Sequence, residues 1–298
     1  MSKISVVYIV GPTAAGKTSL AIKVAKQCNG EVISADSRQV YRGLDIGTSK
    51  VTQAEMSDIP HHLIDVVDID TIYTAEDFLQ AADSTIVEIH ARGNVPIVAG
   101  GTFFYVELLR RRMSPAPVPP NPTLRAELEA YTNDELFLQL QKKDSRRANS
   151  IDRDNRRRLM RALEIIDALG VVPPAKAKES PYHEIMIGID CPKEQLLTKF
   201  ENRATDWLQA GLVGEVESLL ANGVTRNRLQ EIGFEYQLVL DLIDNKLTKE
   251  QYIEKFVQKN WQYAKRQRTW LKKDPSITWF TPQQTSEAID HAIKQLAK

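Results

Sequence analysis

The chain has 298 residues, of which 42% are hydrophobic and 26% charged, and Lys plus Arg balance Asp plus Glu at 39 each. That is the composition of a soluble globular protein with one large domain or two smaller ones. It contains no apolar run near 18 residues, which excludes a membrane span. The two cysteines, Cys28 and Cys191, lack CxxC or His partner spacing, which argues against a zinc site and for reduced thiols in a cytoplasmic protein. Met1-Ser2-Lys3 runs straight into a strand pattern, so no signal peptide is expected.

Ile4–Val10 is apolar almost throughout and reads as a buried parallel strand. It leads into Gly11-Pro12-Thr13-Ala14-Ala15-Gly16-Lys17-Thr18, the G-x-x-x-x-G-K-T spacing of a P-loop, and then a helical pattern from Ser19 to Gln27. The glycines let backbone N–H groups turn inward, and with the helix N-terminus they make a concave anion site. Thr13, Ala14, Ala15, Gly16 and Ser19 belong to that cradle, Lys17 reaches the outer phosphates, and the Thr18 hydroxyl suits Mg²⁺. An ordinary glycine turn before a helix is the competing reading. The motif specifies phosphate or diphosphate, not a nucleoside triphosphate.

A second strand, Glu31 to Asp36, places Asp36 at the sheet edge where ligands bind in parallel α/β folds. Asp36 is then either a helix N-cap or a functional carboxylate. Residues 42–73 are loop-rich. Thr74-Ala75-Glu76-Asp77 is a capping box opening a helix that Gly93 closes. Val95–Ala99 is a third buried strand, ending in Gly100-Gly101-Thr102 and a helix over Phe103–Arg111.

Five prolines between Ser114 and Pro122 mark a linker. Residues 123–169 then read as helices alone. Lys142–Arg161 holds nine basic and three acidic residues, a local excess of +6. A strand returns at Glu184–Asp190. The expected organisation is therefore an α/β core with a P-loop NTPase-like parallel sheet, residues 1–118 and 184–298, carrying a helical insertion domain over 119–183. The remainder is expected to be mainly helical. Lys255–Lys273 has seven basic residues, no acidic one, and Trp261, Tyr263 and Trp270 interleaved. Such a stripe suits a nucleic-acid backbone with unstacked bases, or a solvated face over a Trp-lined core.

These residues together carry a resemblance. The P-loop with Pro12-Thr13-Ala14, the run Asp36-Ser37-Arg38-Gln39-Val40-Tyr41, and Arg42-Gly43-Leu44-Asp45-Ile46-Gly47-Thr48 resemble the tRNA dimethylallyltransferases of bacterial type. His61-His62-Leu63-Ile64-Asp65, Gly100-Gly101-Thr102, Asp152-x-x-Asn155-x-x-Arg158-x-x-Arg161-Ala162-Leu163-Glu164, Gly211-Leu212-x-x-Glu215-Val216 and Arg266-Gln267-x-Thr269-Trp270 follow in the same order. The resemblance spans nearly the whole chain. Ile232-Gly233-Phe234 stands where the family usually has Gly-Tyr, and Leu271 follows Trp270 where Phe is common.

The resemblance implies transfer of a dimethylallyl group from dimethylallyl diphosphate to the exocyclic amine of an adenosine beside the tRNA anticodon. It implies Asp36, Thr102 and Arg203 as catalytic residues, the P-loop residues Gly11 and Thr13 to Ser19 on the diphosphate, and Mg²⁺ at Thr18. It also implies tRNA contacts from Asp36, Ser37, Arg38, Gln39 and Thr102 and, on the insertion, Arg125, Arg157, Arg158 and Arg161. A cytoplasmic monomer acting on the anticodon stem-loop is expected. For Arg203 a surface ion pair, and for the arginine run a helix laced with ion pairs to Asp152, Asp154 and Glu164, remain open at this stage. A P-loop metabolite kinase, an adenylate isopentenyltransferase acting on free nucleotide, and a non-enzymatic RNA-binding module are the rival readings. The long basic C-terminal half argues against the first two.

Overall fold

The structure, a computed structural model, describes residues 3–114, 116–174 and 177–298. Its contacts divide it into two compact units, Met1–Arg112 with Glu179–Lys298, and Met113–Lys178.

The first unit begins with β1 (Ile4–Val10), the P-loop and α1 (Lys17–Cys28), then β2 (Gly30–Ser34), α2 (Gln53–Met56), β3 (His61–His62), α3 (Ala75–Ala91), β4 (Val95–Ala99) and α4 (Phe103–Leu109). The second unit is helical: α5 (Pro122–Leu128), α6 (Asn133–Lys143), α7 (Ser145–Ala148) and α8 (Arg156–Leu169). The chain re-enters the first unit through β5 (Tyr182–Ile189), followed by α9 (Lys193–Gln209), α10 (Leu212–Ala221), α11 (Arg226–Ile232), α12 (Phe234–Ile243), α13 (Lys249–Leu271), β6 (Thr278–Phe280) and α14 (Thr285–Leu296).

The six strands pair in parallel in the order β3-β2-β4-β1-β5-β6. Side chains alternate across a strand, so a strand covered on both faces must be apolar at every position. In β1, Val6, Tyr8 and Val10 face α3 and α4, where Phe78 and Tyr105 stack with centroids 4.0 Å apart. Val7 and Ile9 face α1 and α14, against Leu20, Val24, Ala288 and Ala292. The helices α9 to α13 build a second core around Tyr236, Tyr252 and Phe256, and Val40, Tyr41 and Leu44 are packed into it. The second unit has its own core of Leu128, Leu136, Leu140, Leu159, Leu163 and Ile166. Among the described residues no helix is long and apolar enough to cross a membrane.

This is the P-loop NTPase-like architecture expected, with corrections. The first helix begins two residues early because the P-loop runs directly into its first turn. The second strand stops at Ser34, so Asp36 lies beyond it in a turn; the Asp36 Oδ1 accepts from the Arg38 amide at 2.9 Å, and no helix follows for it to cap. The returning strand starts at Tyr182, which pairs opposite Ile4, so the expected insertion limit at 183 falls inside β5. Val118 also sits with the helical unit, where its carbonyl accepts from Arg161. The two-residue β3, the three-residue β6, α11 and α14 lie in segments read as loop or left unassigned. Both strands are too short to show an alternation.

What makes β3 a strand is a buried carboxylate. Glu31, 3% exposed on β2, accepts from His62 Nε2 at 2.6 Å, Arg92 at 2.8 and 3.1 Å and Asn94 at 2.7 Å. Hydrogen bonds from Arg92 lead in holding its carboxyl down at about 2, against the opposing effect of burial. The folded value lies below the unfolded one near 4.5, so the stabilisation is complete above pH 4.5 and fades as pH falls towards 2. Because Arg92 is half-exposed, about 2 kcal/mol at pH 7 is the expected size. Glu31→Gln should therefore lower unfolding stability by about that amount at pH 7, and the gap from the parent should be about 1 kcal/mol smaller at pH 4, read by urea denaturation.

Candidate active site

Three loops meet at the carboxyl edge of the sheet. The P-loop leaves β1 at Gly11, φ 153°, where a Cβ would stand 2.1 Å from the Ile189 carbonyl oxygen. Gly16 caps α1 with φ 100°, and Ala14 between them takes the left-handed φ of 61°. The turn after β4 starts at Gly100, where a Cβ would stand 2.1 Å from the Ala35 carbonyl oxygen. The third loop is the Asp36–Gln39 turn after β2. They border one cavity of about 660 Å³, closed on another side by Arg203 and Trp207 of α9, Glu235 of α12, and Asn260, Tyr263 and Gln267 of α13.

At the P-loop end, Lys17 Nζ donates to the Pro12 carbonyl at 2.8 Å. Burial lowers its ammonium to about 8, Asp36 opposing and Arg203 adding to the shift. Arg203 donates to Thr13 Oγ1 at 3.3 Å and lies over the Trp207 ring at 5.8 Å; burial likewise lowers its value. At the other end, the Thr102 Oγ1 accepts from the Ser37 amide at 3.1 Å, and Ser34 donates to Gln39 Oε1 at 3.0 Å. The field of Asp36 reaches all three cations, Lys17, Arg38 and Arg203. Arg38 forms an ion pair with the buried Glu235. A Cβ on Gly233 would come within 2.7 Å of Glu235 Oε2 and 2.9 Å of the Arg38 guanidinium, so that pair needs a glycine beside it.

The wall at residues 44–49 is held from α10. Glu215 accepts from the amides of Asp45, Ile46 and Gly47 at 3.0, 2.6 and 3.2 Å, and Tyr236 donates to it at 3.2 Å. Lys50 donates to the Tyr41 carbonyl and to Asp45 and Asp65. These bonds explain why a segment rich in loop residues presents Gly47, Thr48 and Ser49 to the cavity in one conformation.

An anion cradle thus faces a carboxylate across one cavity. The IPP transferase family model matches residues 39–274. The chain belongs to that family. It is 39% identical to the tRNA dimethylallyltransferase of Halalkalibacterium halodurans, over 93% of this chain and 91% of that protein. It is 40% identical to the one of Levilactobacillus brevis, over 98% and 96%. A crystal structure of the full-length tRNA isopentenylpyrophosphate transferase from Bacillus halodurans superposes with a TM-score of 0.74 at 36% identity, covering 99% of this chain and 97% of that one. A eukaryotic dimethylallyltransferase solved acting on tRNA gives 0.78 at 27% identity, covering 98% and 77%.

The residues expected from the IPP transferase resemblance fall in two places. Thr13, Ala14, Gly16, Lys17, Thr18, Ser19, Asp36, Arg38, Gln39, Thr102 and Arg203 border the cavity, with Ser37 bonded to Thr102 beside it. Gly11 and Ala15 are buried parts of the P-loop backbone. Arg203 lies in the cavity wall, bonded to Thr13 Oγ1 and stacked over the Trp207 ring, so these contacts hold it and not the surface ion pair left open above. Arg125 and Arg161 both pair with Glu164, 1% exposed, in the helical unit, while Arg157 and Arg158 are exposed on α8. Glu235, Tyr263, Asn260 and Gln267 were not singled out as site residues. The signal was present on α13: its buried positions run Phe256, Asn260, Ala264, Gln267 and Leu271, so two amides interrupt an otherwise apolar stripe.

The half-buried Lys17 makes anion binding pH-dependent. An ammonium lowered to about 8 is charged below that pH and neutral above it, and a bound diphosphate favours the charged form. Inorganic diphosphate should bind more weakly as pH rises through 8, with proton uptake on binding visible by calorimetry in two buffers. Lys17→Met should weaken binding by roughly tenfold or more at neutral pH and abolish that step.

Proposed function

We propose that this enzyme transfers a dimethylallyl group from dimethylallyl diphosphate to the exocyclic amine of an adenosine next to a tRNA anticodon, releasing diphosphate. The observation that carries this reading is the single cavity in which a P-loop faces Asp36, in a chain related over its length to tRNA dimethylallyltransferases.

The bond between C1 of the allyl group and the bridging oxygen breaks, and negative charge gathers on the departing diphosphate. P-loop amides, Lys17 and Arg203 lie where that charge develops, which is how such leaving groups are stabilised. The adenine amine is a poor nucleophile because its lone pair is delocalised into the ring. As it bonds to C1, the Asp36 carboxylate takes its proton. Thr102 and the Ser37–Gln39 turn hold the base edge. Among the described residues no group of three or more His, Cys, Asp or Glu side chains forms a metal cage. One hydroxyl, Thr18, at the P-loop fits the donor set of a Mg²⁺ shared with diphosphate oxygens and water. Mg²⁺ bound there would offset charge on the diphosphate.

The acceptor base leaves its stack at a cost of about a few kcal/mol, least in a single-stranded loop. Trp270, 37% exposed, lies against Phe103 with centroids 4.9 Å apart, one residue past Thr102. That pair supplies an apolar surface for neighbouring bases, with Lys265, Arg266, Lys272 and Lys273 exposed around it. Arg157 and Arg158 serve the RNA backbone from the helical unit. Arg125 and Arg161 support that face through Glu164 rather than by direct contact.

Incubation with labelled dimethylallyl diphosphate, Mg²⁺ and an unmodified anticodon stem-loop should place label in the RNA. Label in AMP alone would overturn the acceptor assignment, and no transfer in any arm would overturn the reaction. Asp36→Asn, which keeps the acceptor for the Arg38 amide, should lower kcat by roughly 10²–10⁴. Arg157→Ala and Arg158→Ala should each weaken RNA binding and reduce the slope of log affinity against log salt by about one. Arg125→Ala should instead lower the stability of the helical unit, because it leaves Glu164 buried with one partner fewer.

A further inference from the structure

Gln267 is 1% exposed, on the buried face of α13, and its amide spans two of the three loops. Its Oε1 accepts from the Thr13 amide of the P-loop at 2.9 Å, and its Nε2 donates to the Gly101 carbonyl at 2.7 Å. The orientation of the amide is fixed by its partners: an N–H must meet the oxygen and a carbonyl must meet the NH₂, so the flipped amide would break both bonds. A Cβ on Gly101 would stand 2.9 Å from Nε2, so a side chain there would push on the amide. Tyr263 donates to the same carbonyl at 3.4 Å. The line continues: Thr102 follows Gly101, accepts from Ser37, and Ser37 adjoins Asp36.

We infer that Gln267 is a positioning residue that sets the separation between the diphosphate cradle and the base-binding turn. This rests on the prenyl-transfer reading. The two loops leave neighbouring strands, β1 and β4. Among the described residues, the amide is the one side chain that bonds the backbone of the P-loop and of the Gly100–Thr102 turn together from outside the sheet. Its register decides whether C1 of the donor lies within attack distance of the adenine nitrogen when the C–O bond weakens. Misplacement by about 1 Å reduces such reactions on the order of 10²-fold. An allylic centre with no amine in reach is captured by water: water bonds to C1, diphosphate leaves, the water's proton passes to solvent, and dimethylallyl alcohol forms.

The test measures the ratio of labelled RNA to labelled alcohol, with kcat and KM for each substrate. The variants are Gln267→Glu and Gln267→Met, each first shown to unfold cooperatively like the parent. In Gln267→Glu a carboxylate oxygen faces the Gly101 carbonyl and cannot donate. The expected result is a fall in kcat for transfer of about tenfold or more, changes in either KM below about threefold, and a ratio shifted towards alcohol. Lowering the pH should restore the ratio in Gln267→Glu, because the protonated carboxyl donates again, and not in Gln267→Met. A ratio equal to the parent's in both variants, or a shift in Gln267→Glu that pH does not reverse, would overturn the inference while leaving the reaction intact. A parent enzyme that labels no RNA would remove the reading on which it rests.

Discussion

Everything at the site depends on backbones approaching more closely than side chains permit. Gly11 lies under the Ile189 carbonyl and Gly100 against the Ala35 carbonyl, each at a distance that a Cβ would reduce to 2.1 Å. No rotamer adjustment relieves such a clash, because the obstructing atom is strand-end backbone. The parallel sheet aligns the ends of β1, β2 and β4, and the two glycines let their loops fold into one cavity instead of splaying apart. A loop that leaves a parallel strand without such contacts has only its own turn chemistry to place it. Here three loops place one another.

The charges follow from that enclosure. Arg38 and Glu235 neutralise each other; Lys17 and Arg203 lie at the P-loop end and Asp36 at the other, with Lys23, Lys26 and Glu55 also in the lining. Gathering two cations where water is scarce is unfavourable, and Lys17 registers it: burial brings its ammonium down to about 8. An anion entering there relieves the penalty, so the cavity favours a diphosphate over a neutral ligand before any shape is considered. Asp36 is held by the Arg38 amide, a neutral donor.

Much of this was legible in the sequence because the P-loop, the buried strands and the capping box at Thr74 are local patterns. Thr74 and Asp77 make the reciprocal bonds that the spacing implies. What was not legible rests on distant partners. Nothing near His61 and His62 announces a strand; they pair with Val32 and Ile33 of β2, and Glu31, some 30 positions earlier, holds His62. The loop-rich run 42–49 becomes a wall only through Glu215 on α10. On α13, Lys265, Arg266 and Trp270 face outward, while Asn260 and Gln267 face the cavity. Sequence spacing showed the cations and hid the amides, because a helix face is defined by what packs on it.

The arginine run of the helical unit divides in the same way. Glu164 is buried, and a lone buried carboxylate is strongly unfavourable unless paired. Arg125 and Arg161 enclose it, with the Asn121 amide as a further donor. Arg125 therefore fastens α5 to α8, and Arg161 ties α8 to the Val118 carbonyl, on the helix where Arg157 and Arg158 stand exposed. An unbroken row of exposed arginines would repel itself and lie on a loosely held helix. Tying Arg125 and Arg161 to one internal carboxylate lowers that repulsion and stiffens the face.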